Sequence, residues 1–348
     1  MTGVTVIAEP RPKTRNGTAL LIGLAVVLLL SALLGLGIGS SSMTLERLLL
    51  AVIGQGAQTD ELIIWTLRAP RVLLSGLAGM TLALAGLLLQ RATRNPLAAP
   101  SVLGITDGAA LGAVGFLFLF SNESNSLTVS IYWQPLAAAC GAAVFAVLVA
   151  VLAKGAARGP VSLILHGFAL GKLAQAGVTM LMIVGPVYRA NQAATWLAGS
   201  VHQARWIDVA IISVLLAAIV PVVLLLARRM DQLLLDDASA EASGLPVMQT
   251  QALLLALAVV LTAAAVSFVG AIGFVGLIAP HAARLLLGTR ALPVMIGTAF
   301  IGAVLVVLAD VVVRYLFAPF EVPTGAVTAL IGAPYFLYIL FRSGRAHA

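Results

Sequence analysis

Charge is what this sequence has least of. Asp, Glu, Lys and Arg make up 9% of its 348 residues, against 61% hydrophobic, and the mean hydropathy is +1.08. A soluble domain carries about a quarter charged residues, so the composition excludes a water-soluble globule and implies a polytopic membrane protein. Cysteine occurs once, at Cys140 within an apolar run, which excludes a disulfide framework. The four histidines, His166, His202, His281 and His347, have no second ligand at helical spacing, so no metal site is expected, not even at Pro280-His281. No G-x-x-x-x-G-K-[ST] stretch exists; the nearest, Gly167–Leu173, is one residue short and lacks the hydroxyl. The chain is therefore expected to bind no ATP or other cofactor of its own. It also lacks a Ser/His/Asp set, an H-E-x-x-H and a carboxylate pair inside any span, which argues against a membrane-embedded enzyme.

What is present is a series of long apolar runs. They are apolar on every face, so they read as helices and not as the alternating strands of a barrel. The fold class is all-α. At ~20 residues per crossing, the chain divides into ten spans, at 18–40, 68–90, 101–120, 131–153, 162–184, 206–228, 247–270, 272–287, 292–313 and 325–342. The net charge of +7 is scattered in ones and twos, which suits topology better than nucleic-acid binding. In this layout 13 of the 20 basic residues lie at one end, among them Arg91, Arg94, Arg228, Arg229, Arg284 and Arg290. Six lie at the other: Arg47, Arg68, Arg71, Arg189, Arg205 and Arg314. Both termini are then expected in the cytoplasm, with short tails at 1–17 and 343–348. The run from Thr18 is too long for a signal-peptide core and reads as an uncleaved helix. Residues 251–280 carry no charge and are too long for one span; a break at Gly270–Gly273 keeps Arg284 and Arg290 at the cytoplasmic end.

Three connections exceed what a turn needs. Outside, 42–67 contains an amphipathic stretch after Thr44, and 185–205 contains a short helix flanked by Trp196 and Trp206; each is either an interfacial anchor or a functional segment. Inside, 229–246 carries Asp231, Asp236, Asp237 and Glu241 among Leu233, Leu234, Leu235, Ala238, Ala242 and Leu245. Two short helices that meet a soluble partner are expected there, the alternative being a solvated acidic face. Gly104, Gly108 and Gly112 share one helix face, and Gly325 begins another small-residue series, both suited to close helix packing. Lys172 falls near mid-membrane, where an unpaired charge costs at least ~2.5–3.5 kcal/mol. It either faces a cavity and attracts an anion, or hydrogen-bonds to a neighbouring helix. Only Lys172, Asp107 and Asp310 could serve an ion-coupled secondary transporter, the competing class.

Taken together, Arg68–Gln90 (RAPRVLLSGLAGMTLALAGLLLQ), Arg94–Ala113 (RNPLAAPSVLGITDGAALGA), Gly270–Gly288 (GAIGFVGLIAPHAARLLLG) and Glu321–Leu340 (EVPTGAVTALIGAPYFLYIL) resemble the membrane subunit of bacterial ABC importers for iron–siderophore complexes, haem and vitamin B12. Trp196–Val209 is similar to the ferric-citrate and siderophore branch. The likeness runs in order from about residue 40 to 342.

The resemblance implies a pair of ten-helix permeases, identical or paralogous, with the path at their interface. Two ATPase subunits, which hold ATP and Mg, would dock inside, and a substrate-binding protein outside. It makes 229–246 the coupling loop, with Asp231, Leu235, Asp236, Asp237, Ala238, Glu241, Gly244 and Leu245 as candidate ATPase contacts. Asp236 and Ser243 depart from the glycine and leucine usual there, while Gly244 and Leu245 match. It makes Arg68, Arg71 and Arg314 candidate acceptors of acidic residues on the binding protein, a role that suits a bidentate guanidinium. The other readings are snorkelling and, for Arg314, a pair with Asp310. It also places Lys172 beside the translocation path, and Arg189, His202 and Arg205 where an anionic substrate or the binding protein could meet them. The substrate is expected to be a ferric siderophore, with haem or cobalamin as alternatives.

Overall fold

The computed structural model describes residues 17–39, 43–122, 126–155, 160–185, 187–317, 320 and 322–344. The expected tails lie outside these residues apart from Gly17, Ser343 and Gly344, as do Arg158, Glu321 and Arg345. Among the described residues every long element is helical.

α1 (Gly17–Gly37) is followed by α2 (Leu45–Val52), whose N-cap Thr44 accepts the Arg47 N–H at 3.4 Å. α3 (Gln58–Leu62) continues through a π-helical stretch, Ile63–Arg68, into α4 (Ala69–Thr93). The second span was expected to start at residue 68 with 42–67 outside it; instead one 36-residue helix runs from Gln58 to Thr93. Pro70 has no N–H to give the preceding turn, and the wider π turn accommodates its ring. The Trp65 carbonyl is taken by Trp206 Nε1–H at 2.8 Å.

A 3-10 turn, Pro100–Leu103, precedes α5 (Ile105–Leu119), α6 (Gln134–Gly155), α7 (Pro160–Val184), α8 (Val187–Ala198) and α9 (Trp206–Leu225). Two short helices follow, α10 (Ala227–Gln232) and α11 (Asp237–Ala242). Then come α12 (Val247–Val269), α13 (Val275–Leu287), α14 (Ala291–Leu316) and α15 (Thr324–Gly344). A helix occupies each of the ten expected spans. Seven are long and apolar enough to cross a membrane, while α5, α13 and the apolar part of α15 are shorter. The 13 residues of α13 rise only about 20 Å.

The chain packs around α4. Apart from Leu73, none of its residues is exposed, and α12, α13 and α14 lie against it. An apolar side chain gains little by leaving lipid for another helix, so membrane helices associate through close backbone approach. α4 supplies this with Gly79 against the carbonyl of Gly302 and Gly86 against that of Gly276, where a β-carbon would collide with backbone. Gly104, Gly108 and Gly112 lie against the Gly167 carbonyl, the Phe145 ring and the Ala137 carbonyl, drawing α5 onto α6 and α7. Gly325, expected in a close contact, sits against the Ala198 carbonyl and donates to Gly199 O at 2.9 Å.

α12 ends at Val269 and α13 starts at Val275, so the charge-free stretch is broken as expected. Gly270 (φ +67°) turns the chain, and Phe274 takes the left-handed conformation with φ +65°. The freed Val269 carbonyl accepts the Ser200 N–H at 2.8 Å, tying the break to the residues after α8.

Replacing Gly79 or Gly302 with valine is expected to cost ~1–3 kcal/mol or more through overpacking, read as a lower melting temperature of the purified protein in detergent. Gly115, which has open space around it, should accept alanine without change.

Candidate functional site

The two ends of the bundle carry different polar constellations. At one end α4 begins with Arg68 and Arg71 on one face, and α14 brings Asp310 and Arg314 one turn apart. Asp310 is 1% exposed and receives Arg71 Nε and Nη2 at 2.9 and 2.8 Å, with Arg314 Nε 2.9 Å away. Thr324, at the start of α15, donates to the same carboxylate at 3.4 Å. Arg314 also donates to Gly35 O and Ile38 O, and Arg68 to Leu36 O and Gly37 O, at 2.8–3.0 Å. These contacts satisfy carbonyls at the end of α1, so four helices meet in one charged layer. Arg68, Arg71 and Arg314, expected as docking groups, thus turn into their own chain; Arg68 and Arg314 are almost fully enclosed. Burial beside a carboxylate and open carbonyls suits a guanidinium better than exposure alone, and Arg314 does pair with Asp310.

Beside this layer opens a cavity of about 710 Å³ between the starts of α6 and α9, α8 and the end of α12. Its polar lining includes Tyr132, Gln134, Asn191, His202, Arg205 and Ser267. His202 Nδ1 lies 2.9 Å from Arg71 Nη1, linking cavity and ion layer. Arg205 chelates Asp208 at 2.9 and 2.6 Å and stacks 4.1 Å from the Tyr132 ring centre. The Asp208 hydrogen bond holds the Arg205 guanidinium above its ordinary range, so it is a permanent cation at the cavity wall. Arg189 lies elsewhere, on Ser121 and Gln192 at 3.1 and 2.9 Å. Tyr132 and Gln134 were missed by sequence reasoning; the signal was the polar-aromatic Ser130–Gln134 at the head of the fourth span.

Lys172 does not stand alone. Its Nζ donates to Gln175 Oε1 at 2.9 Å, Gln175 donates to Asp107 at 2.8 Å, and Phe168 lies 5.4 Å from the ammonium. This Lys–Gln–Asp relay joins the exposed face of α7 to α5, and the hydrogen bond of Lys172 goes to a side chain, not to a backbone carbonyl.

The opposite end holds the loop formed by α10 and α11. Met230, Leu233, Ala240 and Leu245 are buried and anchor it. Asp231 Oδ1 accepts the Ala291 N–H at 2.7 Å and so caps α14; Arg94 donates to Leu233 O and to Asp237 at 2.7 and 2.6 Å. Asp236 caps α11 by accepting the Ser239 N–H at 3.0 Å, and Gly244, at φ +83°, ends the helix. The expected contact face is therefore divided. Leu233 and Leu245 point inward, whereas Leu234, Leu235, Ala238, Glu241 and Ala242 are exposed. Asp231, Asp236 and Asp237 all serve their own chain, and Glu241 is the loop's remaining acid.

Among the described residues no group of His, Cys, Asp and Glu could hold a metal ion. The arrangement is one of enclosed ion pairs, a polar cavity beside them and a stapled loop at the opposite end, with the helical architecture of a polytopic permease. Comparison with known proteins gives the family. Residues 24–342 match the model of the FecCD transport family, and the chain belongs to that family. It is a permease subunit of an ABC transporter, resident in the cytoplasmic membrane. It is 42% identical over 324 residues, 93% of either chain, to "Probable siderophore transport system permease protein YfhA" of Bacillus subtilis (strain 168). It is 37% identical, over 95% of this chain and 96% of the relative, to the Fe(3+)-citrate import system permease protein YfmE of the same strain. A solved chain described as an inward-facing metal-chelate type ABC transporter superposes with a TM-score of 0.82 at 30% identity, covering 93% of this chain and 99% of that one.

Asp310→Asn should strand two enclosed guanidiniums and destabilise by ~3–5 kcal/mol, seen as a large loss of folded protein on size exclusion. For the loop, the Ser239 hydrogen bonds hold the Asp236 carboxyl below its usual range. A lowered carboxyl stabilises above the unfolded pKa of ~3.9 and loses that contribution as pH falls through the folded value. Amide protection of residues 239–243 should therefore be constant from pH 7 to 5, decline below about pH 4, and be low throughout in Asp236→Ala.

Proposed function

We propose that this permease imports a ferric siderophore complex, of the ferric-citrate type among others, using ATP hydrolysed by a separate ATPase pair. The end carrying Arg91, Arg94, Arg284 and the α10–α11 loop faces the cytoplasm, in keeping with the excess of basic residues there. The loop receives the ATPase, and the cavity beside Arg205 opens toward a substrate-binding protein outside. Two copies, or this chain and a paralogue, enclose the path. The names of the siderophore and ferric-citrate relatives favour the iron complex as cargo.

The observation that carries the reading is the loop's division of labour. A coupling element must be stiff enough to transmit a push and must leave a face free for its partner. Here the caps and the Arg94 contacts bind the loop to the ends of α4 and α14, while Leu234, Leu235 and Ala238 stay exposed. Outside, Arg205, whose charge Asp208 balances on the same wall, and the neighbouring His202 offer a ferric complex weak, reversible hydrogen bonds. A tight site would oppose release.

The test is ATP-dependent uptake in proteoliposomes holding the permease, its ATPase and its binding protein. Ferric citrate and other ferric siderophores are compared with haem and cobalamin. Uptake of a ferric complex that requires ATP and the binding protein is expected; uptake of only haem or cobalamin overturns the cargo, and uptake driven by an ion gradient alone overturns the class. Leu235→Glu with Ala238→Glu should cut ATP-driven uptake at least tenfold and abolish co-purification of the ATPase, with the melting temperature of the permease unchanged.

A further inference from the structure

At the loop end, the last turns of α4 and α13 and residues 233–234 enclose a second cavity of about 290 Å³. Gln90, Arg91, Arg94, Leu233, Leu234 and Arg284 are on its wall. Arg94 is spent on Leu233 O and Asp237. Arg91 donates through Nη2 to Thr289 O at 2.6 Å, and Arg284 through Nη1 to Gln90 Oε1 at 2.8 Å. The rest of these two guanidiniums is unmatched. Arg91 Nε and Nη1 and Arg284 Nη2 are buried with no hydrogen-bond partner among the described residues. Arg91 is 5% exposed. Neither arginine has a carboxylate within 4.0 Å among those residues. Asp231 attracts Arg91 from further off and already accepts the Ala291 N–H.

Two enclosed cations with three open donors are costly as they stand. Water in the cavity could take the donors but would not neutralise the charge. An oxyanion does both, and a phosphate offers enough acceptor oxygens for all three N–H groups. The surroundings select the source. Pro96, Leu233 and Leu234 line the cavity, Leu234 is 55% exposed, and Leu285, next to Arg284 in the chain, is 72% exposed, so apolar surface flanks its mouth, as at the level where acyl chains meet headgroups. Basic pockets between membrane helices on the cytoplasmic side hold anionic headgroups.

We propose that this cavity binds the phosphate of an anionic phospholipid, with Arg91 and Arg284 as its ligands. The lipid bridges α4 and α13 directly above the loop, so membrane composition bears on how firmly the loop is held. The site does not depend on which cargo the permease carries.

The experiment is native mass spectrometry and melting of the full-length permease in detergent, titrated with dioleoyl phosphatidylglycerol, dioleoyl phosphatidylcholine or inorganic phosphate. Phosphatidylglycerol should be retained and raise the melting temperature, with phosphatidylcholine at least tenfold weaker. Arg284→Gln should weaken phosphatidylglycerol about tenfold, the loss of ~1.4 kcal/mol. Arg284→Lys should restore part of it, and Arg228→Gln, at an exposed arginine of the same end, should change nothing. Equal retention of both lipids, or equal affinity in wild type, Arg284→Gln and Arg91→Gln, overturns the site. Protection by inorganic phosphate equal to that by phosphatidylglycerol keeps the oxyanion site and overturns the lipid as its source.

Discussion

One carboxylate holds one end of this protein together. Asp310 is buried on α14, and its charge is tolerable only because Arg71 reaches it from α4 and Arg314 from its own helix. Those arginines, with Arg68, in turn satisfy carbonyls at the end of α1, and Thr324 joins α15 to the same group. In lipid there is no hydrophobic gain to set the relative height of neighbouring helices. A charged layer does so, because sliding any helix by one turn would leave an ion unpaired. The glycine contacts fix how near the helices approach, and the Asp310 layer fixes their register.

The opposite end is organised on another principle. Its arginines do not converge on a shared acid. Arg94 secures the loop, whereas Arg91 and Arg284 retain open donors around a cavity. The Asp310 layer is thus closed by the chain itself, whereas at the other end Arg91 and Arg284 keep donors that the described residues leave open. That asymmetry gives the bundle one end held in register by a closed ionic layer and another whose polar groups are only partly matched.

Much of the architecture was legible from hydropathy and charge. The ten apolar runs, the break near Gly270 and the short helices of the loop follow from run length, glycine and capping residues. The Asp310–Arg314 contact was legible from its four-residue spacing, but Arg71–Asp310 spans 239 positions and leaves no local trace. The same holds for the inward turn of Arg68 and for the Lys172–Gln175–Asp107 relay. Sequence could not show that α4, no more apolar than its neighbours, would be the buried one. That depends on Gly79 and Gly86 meeting Gly302 and Gly276, and glycines are common in many of these helices. The loop's acids were visible, yet which of them face inward is set by Arg94 and the N-terminus of α14.

The π turn at Ile63–Arg68 has a bearing on how this chain can vary in length. Such a turn amounts to one residue accommodated within a continuous helix. Deleting a residue there would restore an ordinary helix and leave α3 and α4 close to their present phase, because the wider turn already absorbs the ~100° that one extra residue would add. The Arg47–Asp60 pair lies before that turn, and Trp65, stacked on Trp206, lies within it. The segment is consequently a slack joint, where the chain can lose a single residue while α2 and α3 keep their faces and the transmembrane body keeps its frame.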